Sequence, residues 1–384
     1  MVKRVPFSAE EFSITGAYKI YPIIRALFEG MSMPVPPGEP KLNRPISPKE
    51  NMKMLLRGEI PYWIPVGFVS FGDVQMFSPR QVPDNYATRV IMDGGEVPDY
   101  PSTTLPGWFD LMWQYVPEVG GATVLPGNPR ITDMSDWESE LTMPDLDAID
   151  WEEMKEMNRE YLSTDKFNTL NVNSSSWERL LSLMDVENAA MAIIDEDQLE
   201  GIHRFLDKYT DVLSEYVRRV KACCDIDNVV FHDDWGHQRS AFFSPAVAKE
   251  VFLPHLKKLV DCCHSLGLTY EQHSCGKNEP FIDLYIEAGV DLYSPQGIND
   301  FEEILAKAHG SRLVIGLPDP IIDPAASEDT IRQQAIDWFD KYKDERVVTC
   351  FYTPNSVFMN TIYECSRNYY NELAEKADRS LAAQ

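Results

Sequence analysis

From about residue 166 onward, short apolar stretches alternate with longer segments that have helical periodicity. Such alternation predicts parallel strands joined by right-handed helical crossovers. The strand candidates are FNTLNVN (167–173), DNVVFHDD (227–234), LTYEQH (268–273), VDLYSPQ (290–296), RLVIGL (312–317) and RVVTCFYT (346–353).

Upstream, the sequence SPKENMKMLLRG predicts a helix that is capped by Ser47, has Pro48 in its first turn and ends at Gly58. The next run, PYWIPVGFVSFG (61–72), has the length of a buried strand. About seven strand candidates therefore follow Gly58, which fits a closed (β/α)8 barrel better than an open doubly wound sheet. The sequence shows neither a G-x-G-x-x-G after a strand nor a P-loop.

Two segments do not follow this alternation of strands and helices. Residues 1–45 are rich in proline from 34 onward, and we expect them to form an extension that precedes a barrel domain at 46–384. Residues 95–150 are rich in aromatic residues, proline and glycine, which is typical of a long ordered loop that shapes a pocket. The predicted fold is therefore α/β: a TIM barrel with an amino-terminal extension and long loops at its carboxyl-terminal face.

The net charge of the chain argues against two classes of binding partner. The 384-residue chain has 35 lysines and arginines against 61 acidic residues, a formal charge of −26. Such an excess repels phosphate backbones and anionic membrane surfaces, so we expect neither nucleic acid nor membrane as a partner. We find no apolar run of spanning length and expect no secretory signal. The seven cysteines suggest reduced thiols in a cytoplasmic protein rather than a disulfide framework.

Polar residues follow almost every predicted strand. In a barrel, the carboxyl ends of all strands share one face, so residues far apart in the chain converge there. Taken singly, a short polar residue at such a position is more often a turn former or a helix cap. The set comprises Asn173, Ser174, Ser175, His232, Asp233, Asp234, His273, Cys275, Tyr293, Gln296, Pro318, Asp319, Cys350, Tyr352 and Asn355.

His273 and Cys275 are the strongest metal candidates. Residues i and i+2 of an extended strand point to the same side, so both side chains can reach one ion. Cys350, at the end of a later strand, can supply a second thiolate. Zinc favours imidazole nitrogen and thiolate sulfur, and three protein ligands leave one position open for catalysis. The alternative for the H-x-C pair alone is a buried structural pair.

Two adjacent aspartates, Asp233 and Asp234, follow the strand that ends in FH. Buried carboxylates are costly unless they are paired or used, so one could orient a ligating histidine or act as a general base. The alternative is a salt bridge to Arg239. His232 and His237 are further ligand candidates that we interpret as structural. Aromatic residues such as Phe68 and Trp235 could line an apolar substrate cleft, although each is individually more typical of a core.

With these residues assembled, the chain resembles the uroporphyrinogen decarboxylase superfamily, in its corrinoid-linked, zinc-dependent methyltransferase branch. The resemblance covers about residues 46–365. It lies in SPKENMKMLLRGEIPYWIPV, in DDWGHQRSAFFSPAVAKEVFLPHLKKLVDCCHSLG, in HSCGKNEPFIDLYIEAGVDLYSPQ and in Cys350. It implies a TIM barrel with zinc held by His273, Cys275 and Cys350 at the strand carboxyl ends.

Within this superfamily, decarboxylases carry an arginine-rich motif that grips substrate carboxylates. The comparable stretch here, PYWIPVGFVSFGD, contains no arginine. The segment QYVPEVGGATVLPGNPRITDMSDWESELTMPDLDAIDWE resembles the aryl methyl ether demethylases, which move a methyl group from an O-methyl substrate to the Co(I) corrinoid of a partner protein. Methyl transfer from a methylcorrinoid to a thiol is the alternative activity, and a non-catalytic corrinoid docking protein is a third interpretation.

The resemblance implies roles for the other strand-end residues. Zinc would act as a Lewis acid on the ether oxygen, while Asp233 or Asp234 would orient a ligand or a substrate hydroxyl and Gln296 would contact zinc or substrate. The expected partners are a small-molecule methyl donor and a corrinoid protein. The oligomeric state stays open, a homodimer included. The candidate substrate contacts are Phe68, Asn173, Trp235, Tyr293 and Tyr352.

Overall fold

The structure, a computed structural model, describes residues 4–20, 38–67, 72–96, 104–116, 121–350 and 355–382. Its strands fall into one large and two small sheets. They are β1 (Ile14–Tyr18), β2 (Glu39–Leu42), β3 (Val74–Phe77), β4 (Leu105–Pro106), β5 (Met112–Val116), β6 (Gly121–Val124), β7 (Phe167–Val172), β8 (Asn228–His232), β9 (Thr269–Ser274), β10 (Leu292–Pro295), β11 (Val314–Pro318) and β12 (Val347–Cys350).

Helices follow most of the strands of the large sheet. A π-helical turn, Ala248–Phe252, connects two of them. The helices are α1 (Pro48–Arg57), α2 (Pro83–Ala87), α3 (Trp151–Leu162), α4 (Ser176–Ala192), α5 (Glu196–Cys223), α6 (Pro245–Val247), α7 (Leu253–Ser265), α8 (Ile282–Ala288), α9 (Phe301–Ala308), α10 (Glu328–Tyr342) and α11 (Ser356–Ala382). None of these helices combines the length and the apolar character that a membrane crossing requires.

The large sheet is parallel throughout, in the order β3, β7, β8, β9, β10, β11, β12. Residues 65–67 bring its two edges together. The N–H of Thr349 donates to the carbonyl of Pro65 at 2.9 Å, and the N–H of Asp73 donates to the carbonyl of Val66 at 3.1 Å. The sheet is therefore curled into a barrel, and the predicted fold class is confirmed.

One strand differs from its prediction. The run 61–72 was expected to be a buried strand, but its described part contributes only a parallel bridge between Val66 and Thr349. The strand itself, β3, begins at Val74. Pro61 and Pro65 lack the N–H donors that a strand ladder requires, which accounts for the short pairing.

The amino-terminal end of the barrel is closed by α1. Ser47 caps this helix through a hydrogen bond from the N–H of Glu50, and Gly58 ends it with φ +79°, as the sequence predicts. Its apolar face packs onto the inward side chains of the strands, in a cluster made of Met52, Leu55, Leu56, Val74, Phe167, Leu292, Val314, Val348 and Cys350. The interior of the barrel is therefore apolar beneath α1, and the polar strand-end residues named above lie at the other ends of the strands.

The segments outside the barrel are tied to it by buried ion pairs. In the extension, Glu11 pairs with Arg367 of α11 at 2.8 Å. In the long loop region, Asp84 of α2 pairs with the fully buried Arg179 of α4 and also accepts from the N–H of Trp108 at 2.7 Å. The division into an extension at 1–45 and a barrel at 46–384 stays a prediction.

Candidate metal centre

Three potential ligands meet where β8 and β9 end. The donor atoms of Asp234, His273 and Cys275 all lie within 4.8 Å of one another. The register of β8 against β9 places His232 beside His273, so Asp234 arrives just beyond one strand while Cys275 arrives just beyond the next. Asp234, His273 and Cys275 therefore meet at one place, as expected for residues at the carboxyl ends of parallel strands.

His273 is held in one orientation. Its Nδ1 lies 2.8 Å from the carbonyl oxygen of Ser294, which can only accept, so Nδ1 carries the proton. The other ring nitrogen, Nε2, lies 3.5 Å from the Sγ of Cys275. Burial lowers the pKa of His273, which keeps the imidazole neutral. A neutral imidazole with its lone pair aimed at a thiol is the form that binds a metal.

Asp234 and Cys275 are joined through the backbone. The N–H of Cys275 donates to the Oδ1 of Asp234 at 2.6 Å. Gly276 follows with φ +77°, and its N–H donates to the Oε1 of Gln296 at 2.9 Å. Gln296, predicted to contact zinc or substrate, therefore supports the turn that carries Cys275.

Two glycines allow the ligand-bearing loops to touch. A Cβ on Gly276 would lie 2.1 Å from the carbonyl carbon of Gly236, and a Cβ on Gly236 would lie 2.4 Å from the carbonyl oxygen of Lys277. Real side chains do not tolerate such distances, so only glycine fits at either position. The loop after β8 and the loop after β9 are thus locked backbone to backbone.

The donor set suits a metal ion. Imidazole nitrogen, thiolate sulfur and carboxylate oxygen are the three ligand types that zinc takes in proteins. Burial and the carboxylate of Asp234 raise the pKa of the Cys275 thiol. A cation among these three groups would reverse that effect and favour the thiolate, so the residues fit a zinc ion.

Asp233 has a different environment from Asp234. Its carboxylate accepts from the N–H of Glu178 at 2.9 Å and from the Nε1 of Trp235 at 2.7 Å, and only 3% of the residue is exposed. Burial raises the pKa of Asp233 to about 7. These contacts place Asp233 at the start of α4, where its carboxylate accepts from the backbone of the helix, and its catalytic role stays a prediction.

Glu178 belongs to the site but has no clear sequence signal. Its carboxyl group is hydrogen-bonded to that of Asp234, and burial together with the carboxylates of Asp234 and Asp233 raises its pKa well above the ordinary value. In the sequence it is an acidic residue in the first turn of a helix, a position that glutamate occupies for ordinary electrostatic reasons.

The sulfur of Cys350 lies beside Ser294, the residue whose carbonyl holds His273. This sulfur contacts the side chain of Ser294, and a Cβ on Gly316 would lie 2.8 Å from it. Ser294 in turn donates to Glu271, two residues before His273 on β9. Among the described residues, the group of close donor atoms contains Asp234 and not Cys350. Ligation by Cys350 stays a prediction.

Three of the five candidate substrate contacts lie within the described residues. Trp235 and Tyr293 are 1% and 0% exposed and pack into the core behind the sheet, next to Tyr285. Phe68 and Tyr352 lie outside the described residues. Asn173 donates to Asn85 at 2.8 Å and to Thr88 at 2.9 Å.

A polar network extends from Asn173 toward the metal group. Asn171 donates to Asn173 at 2.6 Å and accepts from the Nε2 of His232 at 2.6 Å. The ring of His232 lies 4.7 Å from that of His273, centroid to centroid. Burial lowers the pKa of His232 well below the ordinary value, so this ring is neutral. The wall beside the metal group therefore presents uncharged donors and acceptors.

Comparisons with known proteins agree with the fold. The family model for uroporphyrinogen decarboxylase (URO-D) matches residues 151–348, which is more than half of the chain and spans α3 to β12. No curated protein matches the sequence.

Among solved structures, a methyltransferase from Methanosarcina mazei is 15% identical with a TM-score of 0.52, covering 84% of this chain and 98% of that one. A putative lyase/mutase from Burkholderia cenocepacia is 12% identical with a TM-score of 0.28, covering 61% and 67% of the two chains. A chitinase from Chromobacterium violaceum is 8% identical with a TM-score of 0.31, covering 51% and 90%.

Proposed function

Because this chain belongs to the uroporphyrinogen decarboxylase family, we propose that it is a zinc-dependent methyltransferase of that family, acting on an O-methyl substrate with a corrinoid protein as methyl acceptor. The observation that carries this proposal is the meeting of Asp234, His273 and Cys275 at the carboxyl ends of β8 and β9. An imidazole and a thiol of this kind suit a metal that activates a leaving oxygen, and porphyrinogen decarboxylation has no evident use for them.

The charges at the site argue against a decarboxylase. The carboxyl groups of Asp234 and Glu178 lie next to each other beside His273. Arginine is the usual clamp for substrate carboxylates, and residues 61–73 contain none. A polycarboxylate substrate would meet repulsion without compensation, whereas a neutral methyl ether would not.

We propose His273, Cys275 and Asp234 as the metal ligands, and ligation by Cys350, which the resemblance implies, is the alternative for the third position. A zinc ion bound there supplies a Lewis acid for the ether oxygen of the methyl donor. The carbonyl of Ser294 keeps His273 in its ligating tautomer, and Gln296 supports the turn at Gly276.

The neutral wall formed by His232 and Asn171 suits a donor with an uncharged polar substituent. Its groups donate and accept hydrogen bonds without charge, so they can orient a phenol or an ether oxygen. A methoxylated aromatic compound meets this description and agrees with the resemblance of the segment around residues 114–152 to aryl methyl ether demethylases. We therefore propose a methoxyaromatic substrate and, as partner, a corrinoid protein in its Co(I) state.

The function can be tested by incubating the purified protein with reduced cobalamin and separate methyl donors: methoxyaromatics, methylamines and betaines. We expect the absorption spectrum of methylcobalamin to develop with methoxyaromatics and to be abolished in Cys275→Ser. Methylcobalamin from another donor class only would overturn the substrate assignment. No formation from any donor, combined with thiol methylation from added methylcobalamin, would reverse the proposed direction.

A further inference from the structure

A second cavity lies on the opposite face of the barrel from the candidate metal centre. It encloses about 520 Å³, and its lining includes residues 163–165 and 223–225, which directly precede β7 and β8. It is therefore at the amino-terminal ends of the strands. No step of the proposed methyl transfer uses it.

Two adjacent thiols open onto this cavity. Cys223 is the last residue of α5, and Cys224 follows it with extended backbone, φ −126° and ψ 143°. The two Sγ atoms lie 3.8 Å apart, and both cysteines are free. The hydrogen bond from Cys224, together with the charge of Lys155, lowers the pKa of Cys223, whereas the pKa of Cys224 is raised. The sulfur of Cys223 also contacts the carbonyl oxygen of Val220 at 3.5 Å, so the two thiols are held side by side next to the cation of Lys155.

The side chains that line the cavity include more cations than carboxylates, although the protein is strongly acidic. The lining contains three cations and two carboxylates, whereas the whole chain has a charge of −26. Both carboxylates are engaged: Asp165 pairs with Lys41 at 2.7 Å, and Asp225 pairs with Lys49 at 3.2 Å. The other two cations, Lys155 and Arg159, pair with exposed carboxylates one turn back on α3, and such pairs are weak and readily exchanged.

We propose that Cys223 is a modification site for anionic low-molecular-weight disulfides, with Cys224 as the resolving thiol and Lys155 and Arg159 as the groups that bind the anion. The Cys223 thiolate attacks one sulfur of RS–SR, that S–S bond breaks, and one RS⁻ leaves and takes a proton from water. The product is a mixed disulfide between Cys223 and RS.

Cys224 can complete the reaction. After losing its proton, its sulfur attacks the Sγ of Cys223 and expels the second RS⁻, which is protonated in turn. The two protein sulfurs must close from 3.8 Å to about 2 Å for this bond. Because the Cα atoms of adjacent residues lie only about 3.8 Å apart, below the usual disulfide range, the backbone at the end of α5 must also rearrange. The pair loses two electrons, and the original disulfide gains them as two thiols.

The charge of the reagent tests this proposal. The folded full-length protein is treated with glutathione disulfide, which is anionic, or with cystamine, which is cationic, and the rate at each cysteine is followed by peptide mass spectrometry. An ordinary thiol on so acidic a chain should react faster with cystamine. We expect the ratio of the glutathione disulfide rate to the cystamine rate to be about tenfold higher at Cys223 than at the half-buried Cys365.

In the double variant Lys155→Ala, Arg159→Ala, the rate ratio at Cys223 should fall to that at Cys365. The cystamine rate at Cys223 should stay within about twofold of its wild-type value. Lys257→Ala, which removes a charge that pairs with Glu287 and does not line this cavity, is the control and should change neither rate. The second vicinal pair, Cys262 and Cys263, should stay unmodified because burial raises the pKa of Cys263 well above the ordinary value. Equal charge preference at Cys223 and Cys365, or labelling mainly at another cysteine, would overturn the proposal.

Discussion

The backbone N–H of Cys275 donates to the Oδ1 of Asp234 at 2.6 Å, and this bond joins the two loops that carry the candidate ligands. The contact is made within the protein itself, so the donor group is organised by the fold. Asparagine can accept the same hydrogen bond through its own Oδ1 but carries no charge. Asp234→Asn is therefore a variant that removes a candidate ligand while keeping the loop contact.

We first expect Asp234→Asn to weaken zinc binding by at least about tenfold and Cys350→Ser to leave it nearly unchanged. The reason is that Asp234 lies among the close donor atoms, while the sulfur of Cys350 lies toward Ser294. Competition with a chelator gives the dissociation constants, and the cobalt-substituted protein reports the number of thiolate ligands by its charge-transfer absorption. A loss of one thiolate band in Cys350→Ser, with Asp234→Asn unaffected, would make Cys350 the third ligand.

Gly276→Ala is expected to lower zinc affinity by about tenfold or more without changing any ligand. The added Cβ would collide with the backbone of Gly236 and push the two loops apart. Gly289→Ala is the matched control, since Gly289 also has positive φ, +83°, but ends α8 with its nearest neighbour 3.6 Å away. The control should cost about 1 kcal/mol of unfolding free energy and keep its zinc. Equal zinc affinity in the two variants would argue against the loop contact.

Replacing Asp233 should affect the stability of the fold, whereas replacing Asp234 should affect zinc binding. Asp233→Ala leaves the N–H groups of Glu178 and Trp235 without their acceptor in a buried place, so we expect the free energy of unfolding to fall by about 2 kcal/mol. Urea unfolding followed by circular dichroism measures this quantity. Zinc bound by the folded variant should be unchanged. Loss of zinc without a loss of stability would assign Asp233 to the metal group instead.

His255 should make stability depend on pH between about 4 and 7. Burial lowers the pKa of His255 to about 4 in the folded state, against about 6.5 when the chain is unfolded. The unfolded state therefore binds the proton first as the pH falls, and folding is disfavoured there. The groups that face this ring are His203, Asp207 and Lys258.

The comparison with His255→Gln isolates this effect. Relative to that variant, the wild-type unfolding free energy should be constant above about pH 7 and should decrease by on the order of 2 kcal/mol by pH 4. Urea titrations at a series of pH values measure the difference. A difference that does not vary with pH would show that His255 keeps its ordinary pKa.

The barrel could be predicted because each strand and helix has its own apolar period, and alternation fixes parallel order. His273 and Cys275 could be predicted because the i, i+2 rule acts within one strand. The contribution of Asp234 could not be resolved from that of Asp233, since it depends on the backbone contact between Gly236 and Gly276. Glu178 was missed because helix starts commonly carry glutamate.

The surroundings of Cys350 could not be predicted from the sequence either. Its place at the end of a strand follows from the alternation, but the contact of its sulfur with Ser294 depends on the stagger between neighbouring strands. The burial of Trp235 and Tyr293, 1% and 0% exposed, could not be predicted from their strand-end positions, and their role as substrate contacts stays a prediction.

The most direct test of the account is the zinc content of the purified, metal-reconstituted protein, measured beside that of Cys275→Ser. We expect about one zinc ion per wild-type chain and a small residual fraction in the variant, since the thiolate is the strongest ligand in the group. Absence of zinc from the wild-type protein, or equal zinc in both proteins, would contradict a metal centre built on His273 and Cys275.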